Sequence, residues 1–372
     1  MKKTHAPSSM ENVIKMISKN EIILIAGGTA SGKTTFAKRL HEFYGDKALL
    51  LSMDSYYFGR EFSLRHKLNF DQPESVDIKK LVENLKELRE GQPTEVPIYS
   101  FKEDGGKRIG YKTVYPKEIT IVEGLFAFHK DLLPYGTLKI FVETDTHGRL
   151  IRRLLRDTLR TVWPAEQTFK YFFVISENMY NIYISPQKKY ADIVVLNPHN
   201  PRKELPLIGV CEIETQMKVL EIPSPESLSR LGAKHINSLE YEDSYFKIPS
   251  RHSHKKETIR IRRNGLMHTF TYKGPDIGGE VRTKNKFEFP ISLQSKKEIE
   301  PYLILEKELR ITRKTFMLNK IFFSVDHVSY KGEEQHFLEV RGAKGAELEA
   351  LLEKLGLKHA YRTNLSYYQI FK

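Results

Sequence analysis

The first half of the chain alternates short apolar runs with helical patterns, and this alternation predicts a parallel α/β sheet. Residues 22–26 form a continuous apolar run, as expected of a strand buried on both faces. A helix is predicted at about 34–43, and Asp77 is predicted to cap another helix that ends at Gly91. Further strands are predicted at 48–53, 119–122, 138–142 and 192–196.

The pattern changes near Asn197. Residues 197–206, NPHNPRKELP, are rich in proline and polar residues and indicate a linker. Beyond it, segments such as TIRIRRNG and HTFTYKG alternate apolar and polar positions, which predicts antiparallel strands. We therefore expect a tail at 1–20, an α/β domain at 21–204 and a second domain at 205–372.

A phosphate-binding motif follows the first predicted strand. Residues 27–34, GGTASGKT, match GxxxxGK[ST] between a buried strand and a helix, the context that identifies a P-loop. Its glycines let backbone N–H groups turn towards phosphates, reinforced by the helix dipole. Lys33 is expected to reach the β- and γ-phosphates, and Thr34 to coordinate magnesium. The predicted nucleotide contacts are Gly27, Gly28, Thr29, Ala30, Ser31, Gly32, Lys33, Thr34 and Thr35.

Two carboxylates each follow or end a predicted strand. Asp54, in LLSMDSYY, lies at the carboxyl edge of the sheet, where it can accept a proton from an attacking hydroxyl or order the magnesium shell. The alternative is that Asp54 caps the following turn. Glu123 ends ITIVEG and is expected to help hold the metal through water.

Composition adds limits to this picture. The 372 residues suggest two domains, and no run approaches the roughly 20 apolar residues that span a bilayer. The net charge of +13 is spread over both halves and mixed with acids, which favours small polyphosphate ligands over nucleic acid. The single cysteine, Cys211, fits a reducing compartment, so we expect the cytoplasm.

Residues 21–200 resemble the uridine kinases. The resemblance is carried by GGTASGKTT, LLSMDSYY, NFDQPESVD, EVPIYSFK, IVEGLFAF, KIFVETDTHGRLIRRLLRD and ISPQKKYADIVV, in that order. It implies ATP- or GTP-dependent phosphorylation of the 5′-hydroxyl of uridine or cytidine, with Asp54 as the catalytic carboxylate. It further implies that Asp71 binds the ribose and that Tyr57, Phe70 and Tyr99 form the nucleoside pocket. Without the resemblance, these aromatic residues are predicted to be core residues.

Five arginines fall on one face of a predicted helix. They lie at positions 149, 152, 153, 156 and 160. The resemblance places Arg149 and Arg152 near the phosphates as catalytic groups; the alternative is a solvated charged face. Related kinases continue with an Arg-Gly-Arg lid, but residues 161–163 here are Thr-Val-Trp and Arg160 is the lid's one arginine. This departure predicts slow phosphorylation of uridine or a different acceptor.

Residues 209–372 resemble the CYTH, or triphosphate tunnel, family. The resemblance is carried by EIETQMK, YEDSYF, IRIRRNG, TYKGP, FFSVDHV, HFLEVRG and SYYQIF. It implies an α+β domain built on an antiparallel barrel whose polar interior binds triphosphate-like ligands and magnesium. The predicted tunnel residues are Glu214, Lys218, Arg260, Arg262, Lys273, Arg313 and Glu339, with Arg282, Glu288 and Asp326 as further candidates. An ordinary strand with a solvated charged face remains the alternative.

The tunnel pattern departs from the family at three positions. Gln216 and Arg341 stand where carboxylates are expected, and Ile311 stands where a lysine is expected. Because magnesium prefers oxygen anions, the loss of the two carboxylates weakens metal binding, and we expect phosphate binding to be retained while hydrolysis is lost.

The sequence therefore predicts a phosphotransferase that uses ATP and Mg²⁺, acts on a nucleoside and carries a polyphosphate-binding domain. Two alternatives stay open: a pyrophosphate or triphosphate phosphohydrolase with a regulatory kinase-like half, and a nucleotide-sensing binding protein. A homo-oligomer also stays open, whereas a membrane partner is not expected.

Overall fold

The computed structural model describes residues 14, 17, 21–102, 105–160, 164–197, 212–248, 258–276, 282–342, 345–363 and 365–371. Within these ranges, the side chains of 158–160, 212–217, 258, 273–276, 282–287 and 345 lie outside the description. The chain divides into two compact units, Met1–His199 and Asn200–Lys372. The boundary predicted between residues 204 and 205 lies outside the described residues and stays a prediction.

The first unit is built on a parallel sheet, as predicted. Its strands are β1 (Glu21–Gly27), β2 (Ala48–Ser52), β3 (Thr94–Ser100), β4 (Lys107–Val114), β5 (Ile119–Gly124), β6 (Leu138–Glu143) and β7 (Ile193–Leu196). Five of them pair in parallel in the order β2-β5-β1-β6-β7, while β3 and β4 form an antiparallel hairpin. β5 is buried along its whole length because apolar layers cover both faces of the sheet.

One helix of this unit begins at the predicted cap. The helices are α1 (Lys33–Tyr44), α2 (Arg60–Arg65), α3 (Ile78–Arg89), α4 (Thr146–Arg160), α5 (Ala165–Tyr171) and α6 (Glu177–Met179). The Asp77 carboxylate accepts a hydrogen bond from the Lys80 N–H at 3.1 Å, which confirms it as the cap of α3. Leu150, Ile151, Leu154 and Leu155 are buried, so α4 packs its apolar face on the domain as expected.

The second unit is an antiparallel β-barrel, also as predicted. Its strands are β8 (Glu212–Val219), β9 (Lys234–Lys247), β10 (Thr258–Asn264), β11 (Met267–Asp276), β12 (Arg282–Ile291), β13 (Ile304–Leu318), β14 (Ile321–Tyr330), β15 (Glu333–Arg341) and β16 (Arg362–Thr363). Its helices are α7 (Pro225–Arg230), α8 (Leu293–Ile299), α9 (Gly345–Lys354) and α10 (Tyr367–Ile370). The pairing of β12 with β8 closes β8–β15 into a ring, which leaves β16 as an added strand beside β8.

The two faces of the barrel wall differ in polarity because side chains alternate along each strand. Phe316, Leu338 and Val340 face outward and pack with the apolar residues of α9. The inward positions on the same strands include Arg313 and Glu339, which are buried. The charged residues of these strands therefore face the barrel interior. Among the described residues, no helix is both long enough and apolar enough to span a membrane.

Candidate active site

The P-loop lies between the end of β1 and the start of α1, and its glycines are required by the space around them. A Cβ at Gly27 would lie 2.5 Å from the Val142 carbonyl oxygen, and one at Gly28 would lie 2.8 Å from Arg149 Cδ. Gly32 has a φ of 91°, which favours glycine, and a Cβ there would collide with the Asn197 amide. The loop therefore keeps its backbone bare, as a phosphate cradle needs.

Glu123 connects the P-loop helix to the neighbouring strand. It is 1% exposed; its Oε2 accepts from Thr34 Oγ1 at 3.0 Å and its Oε1 accepts from Ser52 Oγ at 2.6 Å. Hydroxyl and carboxylate oxygens are the ligands that Mg²⁺ prefers, so this donor set fits the metal implied by the sequence. Ser52 was not predicted, although its place at the end of β2 beside Asp54 is visible in the sequence. The described residues contain no group of three or more His, Cys, Asp or Glu side chains at metal-binding distance.

Asp54 lies on the turn that follows β2, at the carboxyl edge of the sheet. The residue is exposed to solvent. Desolvation by the surrounding protein atoms nevertheless raises the pKa of Asp54, and the negative charge of Glu123 raises it further. The positive charges of Lys33 and Arg156 act in the opposite direction. Asp54, Glu123 and Lys33, predicted from separate motifs, therefore lie close enough to interact.

Arg108 on β4 anchors the turn that carries Asp54. Its guanidinium donates to the carbonyl oxygens of Tyr57 at 3.1 Å and Tyr56 at 3.0 Å. The same side chain pairs with the α3 cap, Asp77, at 3.0 Å. Arg108 was not predicted from the sequence because its partners lie more than 30 residues away.

The predicted nucleoside pocket residues come together. The Tyr57 ring centroid lies 5.3 Å from that of Phe70 and 5.8 Å from that of Tyr99, and the Tyr57 hydroxyl donates to the Phe70 carbonyl at 2.9 Å. Asp71 is buried and accepts from Ser176 Oγ at 2.8 Å. Tyr57 also belongs to the hydrophobic core, so the core interpretation holds beside the pocket interpretation, which stays a prediction.

Tyr99 carries a polar group that faces this cluster. Its hydroxyl is buried and has no hydrogen-bond partner within the described residues. Burial, followed by the charge of Asp54, raises the Tyr99 pKa to about 12, so the hydroxyl stays protonated. It is therefore a donor close to the predicted catalytic carboxylate.

Arg149 and Arg152 lie against the P-loop. Arg149 is 1% exposed, pairs with Glu177 at 2.8 Å and stacks 3.7 Å above the Tyr180 ring. The Arg152 Nη1 lies 3.4 Å from the Ser31 carbonyl oxygen and 3.2 Å from that of Asn197. These contacts support the loop. The prediction that these two arginines act on phosphate is untested, and this arrangement favours a supporting role.

Arg153 and Arg156, on the same helix, approach the acidic residues of the site. Arg153 Nη1 donates to Ser176 Oγ at 2.6 Å and to Thr29 Oγ1 at 3.3 Å, and lies 3.9 Å from Asp71. Arg156 pairs with Asp157 at 2.7 Å, and its charge lowers the pKa of Asp54. The helical spacing predicted that the arginines of α4 share one face. It did not predict which of them support the P-loop and which lie near Asp54.

The barrel interior brings several predicted tunnel residues into ion pairs. Lys218 is 2% exposed and lies 3.8 Å from Glu339. Arg313 donates to both oxygens of the buried Asp326, at 2.7 and 2.5 Å, and lies 3.6 Å from Glu339. The lining of the barrel is therefore a network of mutually paired charges.

A second charged group in the interior surrounds Asp243, which lies within the YEDSYF motif and had no predicted role. Asp243 is fully buried, 3.1 Å from Arg260 and 2.6 Å from Arg262. Burial alone would raise its pKa, but the two guanidiniums lower it to about 2. Asp243 thus holds two of the predicted tunnel arginines, Arg260 and Arg262, in place.

The positions that depart from the family also find partners. Arg341 lies 3.5 Å from Glu339, the remaining acid of its motif. Ile311 is buried among Leu309, Val328 and Phe337, an apolar cluster in which a lysine would be unfavourable. Glu214, Gln216, Lys273 and Arg282 lie on β8, β11 and β12, but their side chains lie outside the described residues.

Comparison with known proteins assigns both halves. The model of the Phosphoribulokinase / Uridine kinase family matches residues 22–201, and that of the CYTH domain matches residues 211–365. The uridine kinase of Macrococcus caseolyticus is 37% identical over 186 residues, 48% of this chain and 89% of that protein. The uridine kinase of Staphylococcus carnosus is 38% identical over 181 residues, 47% of this chain and 86% of that protein. A structure of the PH1012 protein from Pyrococcus horikoshii OT3 aligns with 43% of this chain and 99% of its own, with a TM-score of 0.36 and 19% identity.

The chain is therefore a kinase-type phosphotransferase that belongs to the Phosphoribulokinase / Uridine kinase family and carries a CYTH domain after its kinase half.

Proposed function

We propose that this protein transfers the γ-phosphate of ATP to the 5′-hydroxyl of uridine or cytidine. The observation that carries the proposal is the position of Asp54 at the carboxyl edge of the sheet, close to Glu123, which accepts a hydrogen bond from P-loop Thr34 at 3.0 Å. The proposed substrate class is taken from the uridine kinases that match the kinase half.

Asp54 acts as the general base in this proposal. It accepts the proton of the 5′-hydroxyl as that oxygen bonds to the γ-phosphorus, while the bond to the β-phosphate oxygen breaks and ADP leaves. Its raised pKa suits the role, because a base whose pKa lies nearer the working pH removes a proton more effectively. Mg²⁺ held near Thr34 and Glu123 would neutralise phosphate charge.

The remaining residues bind and orient. Lys33 reaches the phosphates, and Arg153 and Arg156 add positive charge on the side of α4 that faces Asp54 and Asp71. Asp71 accepts hydrogen bonds from the ribose, and Tyr57, Phe70 and Tyr99 enclose the nucleoside. Arg149 and Arg152 support the P-loop.

The test is uridine phosphorylation by the full chain with Mg-ATP. Asp54→Asn should lower kcat by about 10²-fold and leave ATP affinity largely intact, the effect of a lost general base. Lys33→Ala should weaken both ATP affinity and rate, since it removes charge from the phosphates. Asp46→Asn, at an exposed acid beyond α1, is the matched control and should behave as wild type. Unchanged turnover in Asp54→Asn would remove Asp54 from the mechanism.

For the second half we propose binding of a short polyphosphate or nucleoside triphosphate without fast hydrolysis. The buried Lys218 and Arg313 and the partly buried Arg260 and Arg262 support binding, because charge-assisted hydrogen bonds to phosphate oxygens are strong. Gln216 and Arg341 in place of carboxylates argue against tight magnesium binding.

Calorimetry of tripolyphosphate binding tests the barrel proposal. The Lys33→Ala full chain keeps the P-loop from contributing, and adding Arg260→Gln with Arg262→Gln should remove the remaining heat of binding. Arg263→Gln, on the same strand but paired outside with Glu242, is the control. Fast phosphate release by the Lys33→Ala protein would favour the phosphohydrolase alternative instead. The reducing interior of the cell, the cytoplasm, is the compartment we propose for both activities.

A further inference from the structure

Three donors converge on one carbonyl oxygen of the P-loop, that of Ser31. Asn197 Nδ2 donates to it at 2.8 Å, Thr144 Oγ1 lies at 3.0 Å and Arg152 Nη1 lies at 3.4 Å. Thr144 has one hydroxyl proton to share between this carbonyl and that of Asn197, 2.8 Å away. The contact from the Asn197 amide is the shortest of the three. Its N–H is not divided between two carbonyl oxygens, as the Thr144 hydroxyl proton is.

Asn197 is itself held in place by the sheet. Its backbone N–H donates to the Glu143 carbonyl at 2.8 Å, continuing the pairing of β7 with β6. Its own carbonyl accepts from Arg152 Nη1 at 3.2 Å. The side chain thus projects from a fixed backbone, so the position of its Nδ2 is defined before any nucleotide binds.

The hydrogen bond to Ser31 sets the direction of a neighbouring N–H group. The peptide between Ser31 and Gly32 is planar and trans, so the Gly32 N–H points away from the Ser31 carbonyl. With the carbonyl turned towards Asn197, this N–H turns towards the interior of the loop, where P-loops bind phosphates. Gly32 is also the residue whose added Cβ would collide with Asn197 Nδ2, so the two positions are matched in shape.

We propose that Asn197 is a positioning residue for nucleotide binding, which fixes the Ser31–Gly32 peptide so that the Gly32 N–H faces the phosphates. It acts through the loop and does not touch the nucleotide. Neither the P-loop motif nor the predicted linker that begins at Asn197 assigned it this role. The proposal rests on the kinase assignment and is independent of which nucleoside accepts the phosphate.

The test measures ADP binding to the full chain by calorimetry, with nucleoside KM measured beside it. Asn197→Asp keeps the size of the side chain but turns an acceptor towards the Ser31 carbonyl. Asn197→Ala removes the donor. The loss of one hydrogen bond should raise the Kd for ADP by about 5- to 10-fold in Asn197→Ala, and the repulsion in Asn197→Asp should raise it further. The nucleoside KM should stay within about twofold, because Asn197 contacts no pocket residue among those described.

Asn178→Ala is the matched control, since Asn178 Nδ2 also donates to a backbone carbonyl, that of Val174 at 2.8 Å, which is not a residue of the P-loop. It should leave the Kd for ADP unchanged. Wild-type ADP affinity in both Asn197 variants would overturn the proposal. So would an equal loss of ADP and nucleoside affinity, or a loss explained by a smaller folded fraction, because either result shows a general structural role. Failure of the uridine assay alone would leave the ADP result standing.

Discussion

At the scale of single residues, the arginines of α4 show that one helix face serves two purposes. Arg149 is buried against Glu177 and Tyr180, while Arg156 is 41% exposed and electrostatically close to Asp54. Sequence spacing placed both on one face. It could not assign their partners, because Glu177 lies 28 residues further along the chain and no local pattern connects it to Arg149.

Substitution should separate these two purposes. Arg149→Gln leaves Glu177 without its partner, and breaking a buried ion pair costs about 3–5 kcal/mol, so the kinase half should unfold at lower denaturant concentration. Arg156→Gln should keep the stability but lower kcat by about 10²-fold or more, since arginine near transferring phosphate stabilises its charge. Urea unfolding and uridine turnover measure the two effects.

Arg39→Gln, at an exposed arginine on α1, controls for the loss of a positive charge. The assignment is wrong if Arg156→Gln turns over uridine at the wild-type rate, or if Arg149→Gln is as stable as the control.

At the scale of elements, the features that depend on local sequence patterns could be predicted. The runs that became β1 and β5, the cap of α3 and the P-loop all follow from neighbouring residues, and the structure places them within a residue or two of the prediction. Barrel closure could not be predicted from local pattern, because β12 pairs with β8 across about 70 residues. The antiparallel class was predicted from alternation, and the barrel came from the family resemblance.

The lid after α4 is the element whose sequence departs from the family. Residues 161–163 lie outside the described residues, so the prediction rests on their chemistry. Replacing Thr161-Val162-Trp163 with Arg-Gly-Arg should raise kcat for uridine about 10-fold or more, because a supplied arginine stabilises the transferring phosphate. Replacement with Ser-Gly-Ser is the control. It supplies the same glycine without positive charge, so it separates the effect of charge from the effect of backbone freedom. Equal rates for the two replacements, in proteins that bind ATP normally, would contradict the role of lid charge.

At the scale of the whole molecule, two units each gather positive charge around a candidate phosphate site. In the kinase unit the charges surround a bare backbone loop and pair with acids such as Glu177 and Asp157, and in the barrel they pair with Asp243 and Asp326. The barrel therefore carries its own counter-charges. Its stability should depend on those acids staying ionised.

Acid should weaken the barrel through Asp243. Its folded pKa of about 2 lies below the value of about 3.9 for an unfolded aspartate, so its contribution is complete above pH 4 and is lost as pH falls through 2. Asp243→Asn should destabilise the barrel at pH 7 by about 2 kcal/mol or more, because Arg260 and Arg262 lose their counter-charge. Hydrogen exchange on β9, between pH 2 and 7, reports this unit separately.

Glu242→Gln is the control for that measurement, because Glu242 pairs with Arg263 on the exposed side of the same strand, where an ion pair contributes little. Protection of β9 that is the same in both variants would show that Asp243 does not hold the barrel together.

The central claim is phosphoryl transfer to a nucleoside 5′-hydroxyl, and one product assay tests it most directly. The full chain is incubated with Mg-ATP and either uridine or 5′-deoxyuridine, which lacks only the acceptor oxygen, and the products are followed by ³¹P NMR. We predict a uridine 5′-monophosphate signal that grows with ADP in equal amounts, and no nucleoside-dependent ADP formation with 5′-deoxyuridine. ADP formation that is the same with either compound, without any nucleoside monophosphate, would contradict the account.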